Sequence, residues 1–283
     1  MADTYMNGTE DANGKDLLVP ANAATVYAAH ENSMFLGGQL IPIEDAPNGL
    51  LKVGKLSKPA ADSISGNVGD AITADIPVTN PDTDEVNIVA DLIAHRAVVR
   101  DLGNISPESI GRTGGQGVAA GWDAFVMSKI AGLTSVDVPA ATALTMNHVF
   151  SAISDIRAAG EGGQLYGLVS PDTYTEMMTL IGGAAYAGGD DFQSQVMRSG
   201  FLGNIAGVPF FVSSYFDATN TGLTAPRLAV FGQDALRIGM QENVSLEISR
   251  RTAAKGWDVV TSVMAGCEVI DATRGVIIND ATP

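Results

Sequence analysis

Residues 144–240 decide the fold, because they lay down alternating elements in a fixed order. LTMNHVFSAISDIRAAG (144–160) puts Met146, Val149, Phe150, Ile153 and Ile156 on one face at helical spacing, with Thr145 as a cap and Gly160 as the stop. LYGLVS (165–170) reads as a strand that runs into SPDTYTEMMTLIG (170–182). There Ser170, Pro171 and Asp172 start a second helix carrying Tyr174, Met177, Met178 and Ile181, ended by Gly182. NIAGVPFFVSSYF (204–216) and LAVFGQDALRIGM (228–240) supply near-continuous apolar strands at 208–215 and 228–231, the pattern of strands buried on both faces. Such alternation predicts a compact α/β unit over 145–240.

Beyond that unit the pattern changes. Val244, Leu246 and Ile248 alternate with Ser245, Glu247 and Ser249, which marks a half-buried strand. Residues 257–270 and 275–279 add more strand, expected to pair with LIAHRAVVRDL (92–102) beneath a helix. That helix opens on Ser106 and Pro107, a side-chain acceptor followed by a residue that sacrifices no hydrogen bond. Gly111, Gly114, Gly115 and Gly117 each cost a helix roughly 1 kcal/mol relative to Ala, so a break or flexible bend is expected there. Val118, Trp122, Phe125, Val126, Ile130 and Leu133 then recur at helical spacing and form a spine. SVDVPAATA (135–143) reads as a linker across 134–144. The chain leaves one domain, builds a second and returns to the first.

The N-terminal third carries less apolar text. Over 1–47, Leu17, Leu18 and Val19, then Val26 and Tyr27, then Met34, Phe35 and Leu36 form short clusters separated by Pro, Asn and Gly. A brief helix over 20–35 is expected, in an arm that lies on something else because it cannot close a core alone. Residues 50–91 read as a long hairpin punctuated by Gly66, Asn67, Gly69, Asp70, Asn80 and Pro81. A hairpin this thin needs a partner surface.

Composition narrows the function classes. Charged residues make up 17% of the 283, against roughly 25% in an average soluble domain, while 46% are hydrophobic, which favours burial against neighbours. The formal charge of −16 repels phosphate backbones and anionic lipid and argues against sequence-specific nucleic-acid binding. Cys267 is the only cysteine, so no intrachain disulfide or thiolate metal cluster forms, and VMAGCEVI reads as a buried strand. The opening MADTYMNGTEDANGKD is acidic where a signal peptide is basic and then apolar, and no apolar run approaches the ~20 residues of a membrane span.

Motifs that suggest chemistry fall short of it. Gly49 to Lys55 (GLLKVGK) fits seven places of a phosphate-cradling loop, but Leu56 stands where Ser or Thr must hold Mg²⁺. The plainer reading is a basic strand edge formed by Lys52, Lys55 and Lys58. His30-Glu31 begins like a zinc-protease motif, yet Met34 replaces its second His, and His30, His95 and His148 are far apart in sequence. Asp82, Asp84 and Glu85 lack the Gly and final Glu of a calcium loop. Asp190 and Asp191, in a Gly-rich loop, invite a carboxylate-pair hydrolase reading. Arg250, Arg251 and Lys255 form a basic island suited to electrostatic contact between copies. No catalytic, cofactor-binding or metal site is expected.

The block from Thr145 to Asn279 resembles the major capsid protein family of tailed bacteriophages. The points of contact are SPDTYTEMM after a short strand, NIAGVPFFVSS, VFGQDALRIG and the alternating strands ending AGCEVIDATRGVII; upstream, GWDAFVMSKIAG is similar to the end of that family's spine helix, with Asp123 in the usual place. The resemblance implies an α+β tailed-phage major capsid fold. Its parts would be an N-terminal arm (1–47), an extended loop (48–91), a peripheral domain with the spine helix (92–144), an axial domain (145–240) and returning peripheral strands (241–283). It further implies hexamers and pentamers of the chain itself forming an icosahedral head around double-stranded DNA, without sequence-specific DNA binding and without membrane. Scaffolding, portal and cement proteins would be partners, and the location would be the virion, assembled in the host cytoplasm.

Within that frame Phe35, Leu36, Lys52, Lys55, Lys58, Arg250, Arg251 and Lys255 are expected to contact neighbouring copies. Gly111, Gly114, Gly115, Gly117, Gly182 and Gly183 are expected to be flexible points. An encapsulin-like nanocompartment shell is the near alternative, and an acid-dependent hydrolase using Asp190 and Asp191 is the alternative of another class.

Overall fold

A computed structural model describes residues 15–56, 83–100, 107–138, 144–182, 204–252 and 255–280. The chain runs α1 (Lys15–Asn32), β1 (Ile43–Asp45), β2 (Leu50–Leu56), β3 (Thr83–Val89), β4 (Asp91–Arg100) and α2 (Pro107–Ile130). Then come β5 (Thr134–Val138), α3 (Met146–Ala158), β6 (Leu165–Val169), α4 (Pro171–Gly182), β7 (Asn204–Ile205), β8 (Val208–Val212) and the short α5 (Ala218–Thr221). β9 (Pro226–Gly232), β10 (Leu236–Arg251), β11 (Gly256–Val269) and β12 (Gly275–Asp280) complete it. The architecture is α+β, as expected.

Two larger sheets and a two-stranded stem organise these elements. One sheet has four strands in the order β1-β10-β11-β4, the other six in the order β5-β12-β9-β6-β8-β7, and β2 and β3 pair by themselves. The long antiparallel partners β10 and β11 dominate the first sheet, and β4 joins β11 from Gly256↔Arg100 to Ala265↔Asp91, where sequence placed it. β12 goes elsewhere: it lies between β5 and β9 in the six-stranded sheet, which corrects the expectation that 275–279 pairs near 92–102. The expected linker contributes too, since Thr134–Val138 is β5, parallel to β12. Backbone hydrogen bonding explains both differences, because each segment completes a ladder that the α/β unit alone leaves open.

Local chemistry accounts for the second sheet. Ala206 (φ 51°) and Gly207 (φ 79°) make a two-residue turn between β7 and β8, the left-handed pair that matches strand twist. β9 is buried along nearly its whole length, whereas β8 near the sheet's end is only half-buried. Met146, Val149, Ala152 and Ile156 of α3 and Met177 of α4 bury against Leu165, Val169, Leu228, Val230, Val276 and Ile278.

The larger core lies where the sheets meet. Val118, Trp122, Val126, Met127 and Ile130 of α2 share a buried cluster with Phe35, Leu36, Leu40 and Ile41, with Ile238, Val263, Ala265 and Cys267 of the first sheet, and with Leu168, Ala229, Phe231 and Ile277 of the second. Phe35 is fully buried and Leu36 nearly so, which corrects their assignment as contacts to other copies. Their apolar surface is already spent inside the chain, in the wedge between the spine helix and both sheets.

α2 is a single unbroken helix, so the expected bend at its glycines is corrected too. A methyl built on Gly111 lies 2.2 Å from the carbonyl oxygen of Ala21, and one on Gly115 lies 2.4 Å from that of Thr25. On the other flank a methyl on Gly114 meets Thr261 Oγ1 at 2.3 Å, and one on Gly117 meets the His95 ring at 2.7 Å. These glycines are close-approach points that let α1 and the first sheet touch the helix backbone. The absent side chains cost helix propensity and return backbone-level packing on two sides.

Candidate assembly surface

The surface is best built from the first sheet outward. Odd positions of β4 face the helices: Ile93 sits beside Gly121, and His95 beside Gly117. Even positions therefore point the other way, and there Leu92 is 60% exposed and Val98 42%. Arg96 shares that open face and donates from Nε to Asp258 Oδ1 at 2.8 Å, with a second contact from its terminal amino group to Oδ2. That hydrogen-bonded pairing holds the Asp258 carboxyl below the usual carboxylate range. β4 is the sheet's outermost strand, and its free edge has no partner strand among the described residues.

The stem of the expected hairpin stands on one end of the same sheet. Leu51 and Ile88 pack over Gly239, and the Val89 carbonyl comes within 2.1 Å of a methyl built on Gly266, so backbone lies almost on backbone. The strands pair from Leu50↔Val89 to Leu56↔Thr83, carrying the stem away from this footing. Leu51, Val53, Val86 and Ile88 form its apolar face, fully buried only at Ile88. Lys52 pairs with Glu85 at 3.2 Å in the open, where such a pair contributes little. Lys55 lies at the register position opposite Asp84 in β2. Lys58, the hairpin tip, Asp82, Gly183, Asp190 and Asp191 all lie outside the described residues. Gly49 is a bend and Leu50–Leu56 a strand, so Gly54 and Lys55 lie within a strand and not at the turn of a phosphate loop.

At the other end of the sheet, Arg250 stacks over the Trp257 ring at 5.0 Å, and Arg251 and Lys255 are exposed beside it. Lys255 adopts a left-handed φ of 45°, at the turn between the two longest strands. The three histidines stay apart: His30 is exposed near the end of α1, His95 packs beside Gly117, and His148 Nδ1 accepts from the Thr145 backbone N–H at 3.2 Å. Among the described residues no group of three or more His, Cys, Asp or Glu could hold a metal ion. Burial pushes the Cys267 thiol up to about 12, the mark of an inert core cysteine.

One polar contact was not anticipated. Asp123, almost fully buried in α2, accepts from Ser33 Oγ at 2.6 Å and from the Met34 backbone N–H at 3.1 Å. Ser33 Oγ in turn accepts from the backbone N–H groups of Phe35 and Leu36. Burial raises the Asp123 carboxyl to about 6 against the opposing pull of those hydrogen bonds. The latch fixes the chain leaving α1 to the spine, which seats Phe35 and Leu36. A lone Asp on the apolar face of a predicted helix was the available signal, because a buried carboxylate demands donors from elsewhere.

No protein-family model matches the chain, and no curated protein matches it in sequence. Solved structures do. A virus-like particle from Pyrococcus furiosus superposes with a TM-score of 0.65 at 11% identity, over 93% of this chain and 99% of that one. The capsid of cyanophage P-SCSP1u gives 0.66 at 15% identity, covering 86% and 87% of the two chains. The capsid of a native GTA particle gives 0.63 at 12% identity, covering 86% and 89%. The chain thus has the tailed-phage major capsid fold that its element order implied.

Proposed function

We propose that this chain is the repeating subunit of a closed shell, the major capsid protein of a tailed phage, and that it acts through contacts between copies and not through catalysis. The observation that carries this reading is a fold shared along most of the chain with proteins that build shells. In this reading hexamers and pentamers of the chain enclose double-stranded DNA. The unit spanning 145–240, joined by β5 and β12, gathers at their centres, while the sheet of β4, β10 and β11 reaches toward neighbouring rings. The net charge of −16 suits a wall past which packed DNA must slide. Scaffolding, portal and cement proteins are the further partners, and the virion, assembled in the host cytoplasm, is the location.

Two exposed features support it. The stem of β2 and β3 leaves its own sheet with a half-covered apolar face, and the open face around Leu92 and Val98 has no cover among the described residues. A stable interface needs on the order of 1,600 Å², and apolar area contributes about 25 cal/mol per Å² of it. Lys52 and Lys55 on the stem and Arg250, Arg251 and Lys255 at the other end supply charge for registering acidic neighbours. Gly182, the last residue of α4, is the flexible point this reading retains.

Velocity sedimentation tests the reading. The purified chain is expected to run as ring or shell species, and the Leu92→Asp/Val98→Asp variant, with unchanged circular dichroism, as small species. Wild-type protein that stays monomeric at every concentration overturns the proposal.

A further inference from the structure

We propose that Asn48 is a self-modifying site, at which the side-chain amide cyclises onto the Gly49 nitrogen and the acid that results loosens the foot of the hairpin stem. Among the described residues Asn48 is the only asparagine followed by glycine. The others precede Ala, Ser, Ile, His, Thr, Val or Asp, whose side chains shield the next backbone nitrogen, and Gly49 has none to do so. Asn48 is also exposed, whereas Asn32 Nδ2 is held on the Ala28 carbonyl at 2.7 Å.

The reaction needs only water. The Gly49 nitrogen gives up its proton to solvent and attacks Cγ of Asn48; an N–Cγ bond forms, the Cγ–Nδ2 bond breaks and ammonia leaves. Water then opens the five-membered imide at either carbonyl carbon, and nothing is oxidised or reduced. One opening restores the main chain with an aspartate at 48. The other leaves an isoaspartate, whose main chain runs through the side-chain carbons and is one atom longer.

The fold sets the rate. Pro47 and Asn48 turn between β1 and β2, and the Gly49 N–H that must be lost donates to the Ala46 carbonyl at 2.8 Å. Ala46 is buried and donates in turn to the Met240 carbonyl at 2.8 Å, so attack waits on local opening of the turn. The same residues seat the stem. The Gly49 carbonyl accepts from the Ala90 N–H at 2.9 Å, next to the first stem pair Leu50↔Val89. Gly49 is left-handed (φ 72°), and Gln241 Oε1 lies only 2.8 Å from a methyl built on it. A longer main chain has no room here without moving Gly49 off Ala90 or Gln241. Either product also adds a carboxylate close in the chain to the exposed Glu44 and Asp45. None of this chemistry depends on shell assembly.

Peptide mapping by mass spectrometry tests it on the full chain aged at mildly alkaline pH, with the guanidinium-unfolded chain as reference. Expected is amide-to-acid conversion at Asn48 in the native chain, about ten- to a hundredfold slower than in the unfolded chain because the turn must open first. Leu51→Ala, which thins the packing of the stem on Gly239, should speed the native reaction several-fold and leave the unfolded rate unchanged. The converted chain, separated by its added negative charge, should exchange the Ala90 amide hydrogen several-fold faster than the unconverted chain. No conversion at Asn48 in the native chain once the unfolded chain has reacted to completion overturns the proposal. So does a native rate that Leu51→Ala leaves unchanged, or equal Ala90 exchange in the two forms, which would show that the new acid leaves the foot seated.

Discussion

The segment 15–41 and the hairpin stem look alike in sequence, each with scattered apolar residues between turn formers, yet the structure uses them in opposite ways. α1 lays Ala21, Thr25, Ala28 and Ala29 against Gly111 and Gly115, and the turn after it drives Phe35, Leu36, Leu40 and Ile41 into the main core. The stem packs at its foot on Gly239 and Gly266 and holds Leu51, Val53 and Val86 half-covered. Apolar density does not separate the two. Small residues facing small residues build an interface from backbone contact, which a count of bulky side chains overlooks.

The largest effect should fall on the anchored side. Trp122→Ala empties the cluster that holds Phe35 and Leu36 and is expected to cost about 3–5 kcal/mol in urea unfolding. Val86→Ala, on the half-covered stem, should cost well under half of that; equal losses would erase the contrast between the regions.

Next comes the latch. The Asp123 carboxyl titrates near 6 in the folded chain, above its ordinary 3.8, so the native state holds a proton that the unfolded chain has released. Its contribution to stability is complete below about pH 4 and is lost as pH rises through 6, on the order of 2–3 kcal/mol at ~1.4 kcal/mol per pH unit. Asp123→Asn, which keeps an acceptor but carries no charge, should remove that component of the slope between pH 4 and 6. An unchanged slope in the variant would show that another group titrates there.

The glycines offer a test of sign. A helical hinge glycine gains about 1 kcal/mol when replaced by Ala. Gly111→Ala and Gly115→Ala should instead lose about 1–3 kcal/mol, because the new methyl meets α1 backbone that cannot step aside. The smallest effect belongs to the stem's exposed ion pair: Lys52→Ala should shift stability by less than ~1 kcal/mol, whatever it does to assembly.

Much of the fold was legible because its signals are local. The caps and spacing of 144–182, the alternation at 244–249 and the valines of 92–99 each determine an element from within a dozen residues. What escaped depends on distant partners. β5 reads as a linker until β12 arrives to pair with it, and β12 reads as a neighbour of β4 until its place beside β9 is seen. Gly111 to Gly117 read as a bend because their reason lies on α1 and on Thr261 and His95. Of the surface, the basic island and the hairpin were visible. The open face of β4 was not, since IAHRAVV carries apolar residues at both parities and hides which side is covered.

The central claim is that this chain completes itself in the company of its copies, and electron cryomicroscopy of the purified protein tests it most directly. The account predicts closed particles or rings in which the stem of β2 and β3 lies against a neighbouring copy, with Phe35 and Leu36 buried inside their own subunit. A homogeneous population of isolated subunits at the highest attainable concentration, or particles in which the stem touches nothing, would contradict it.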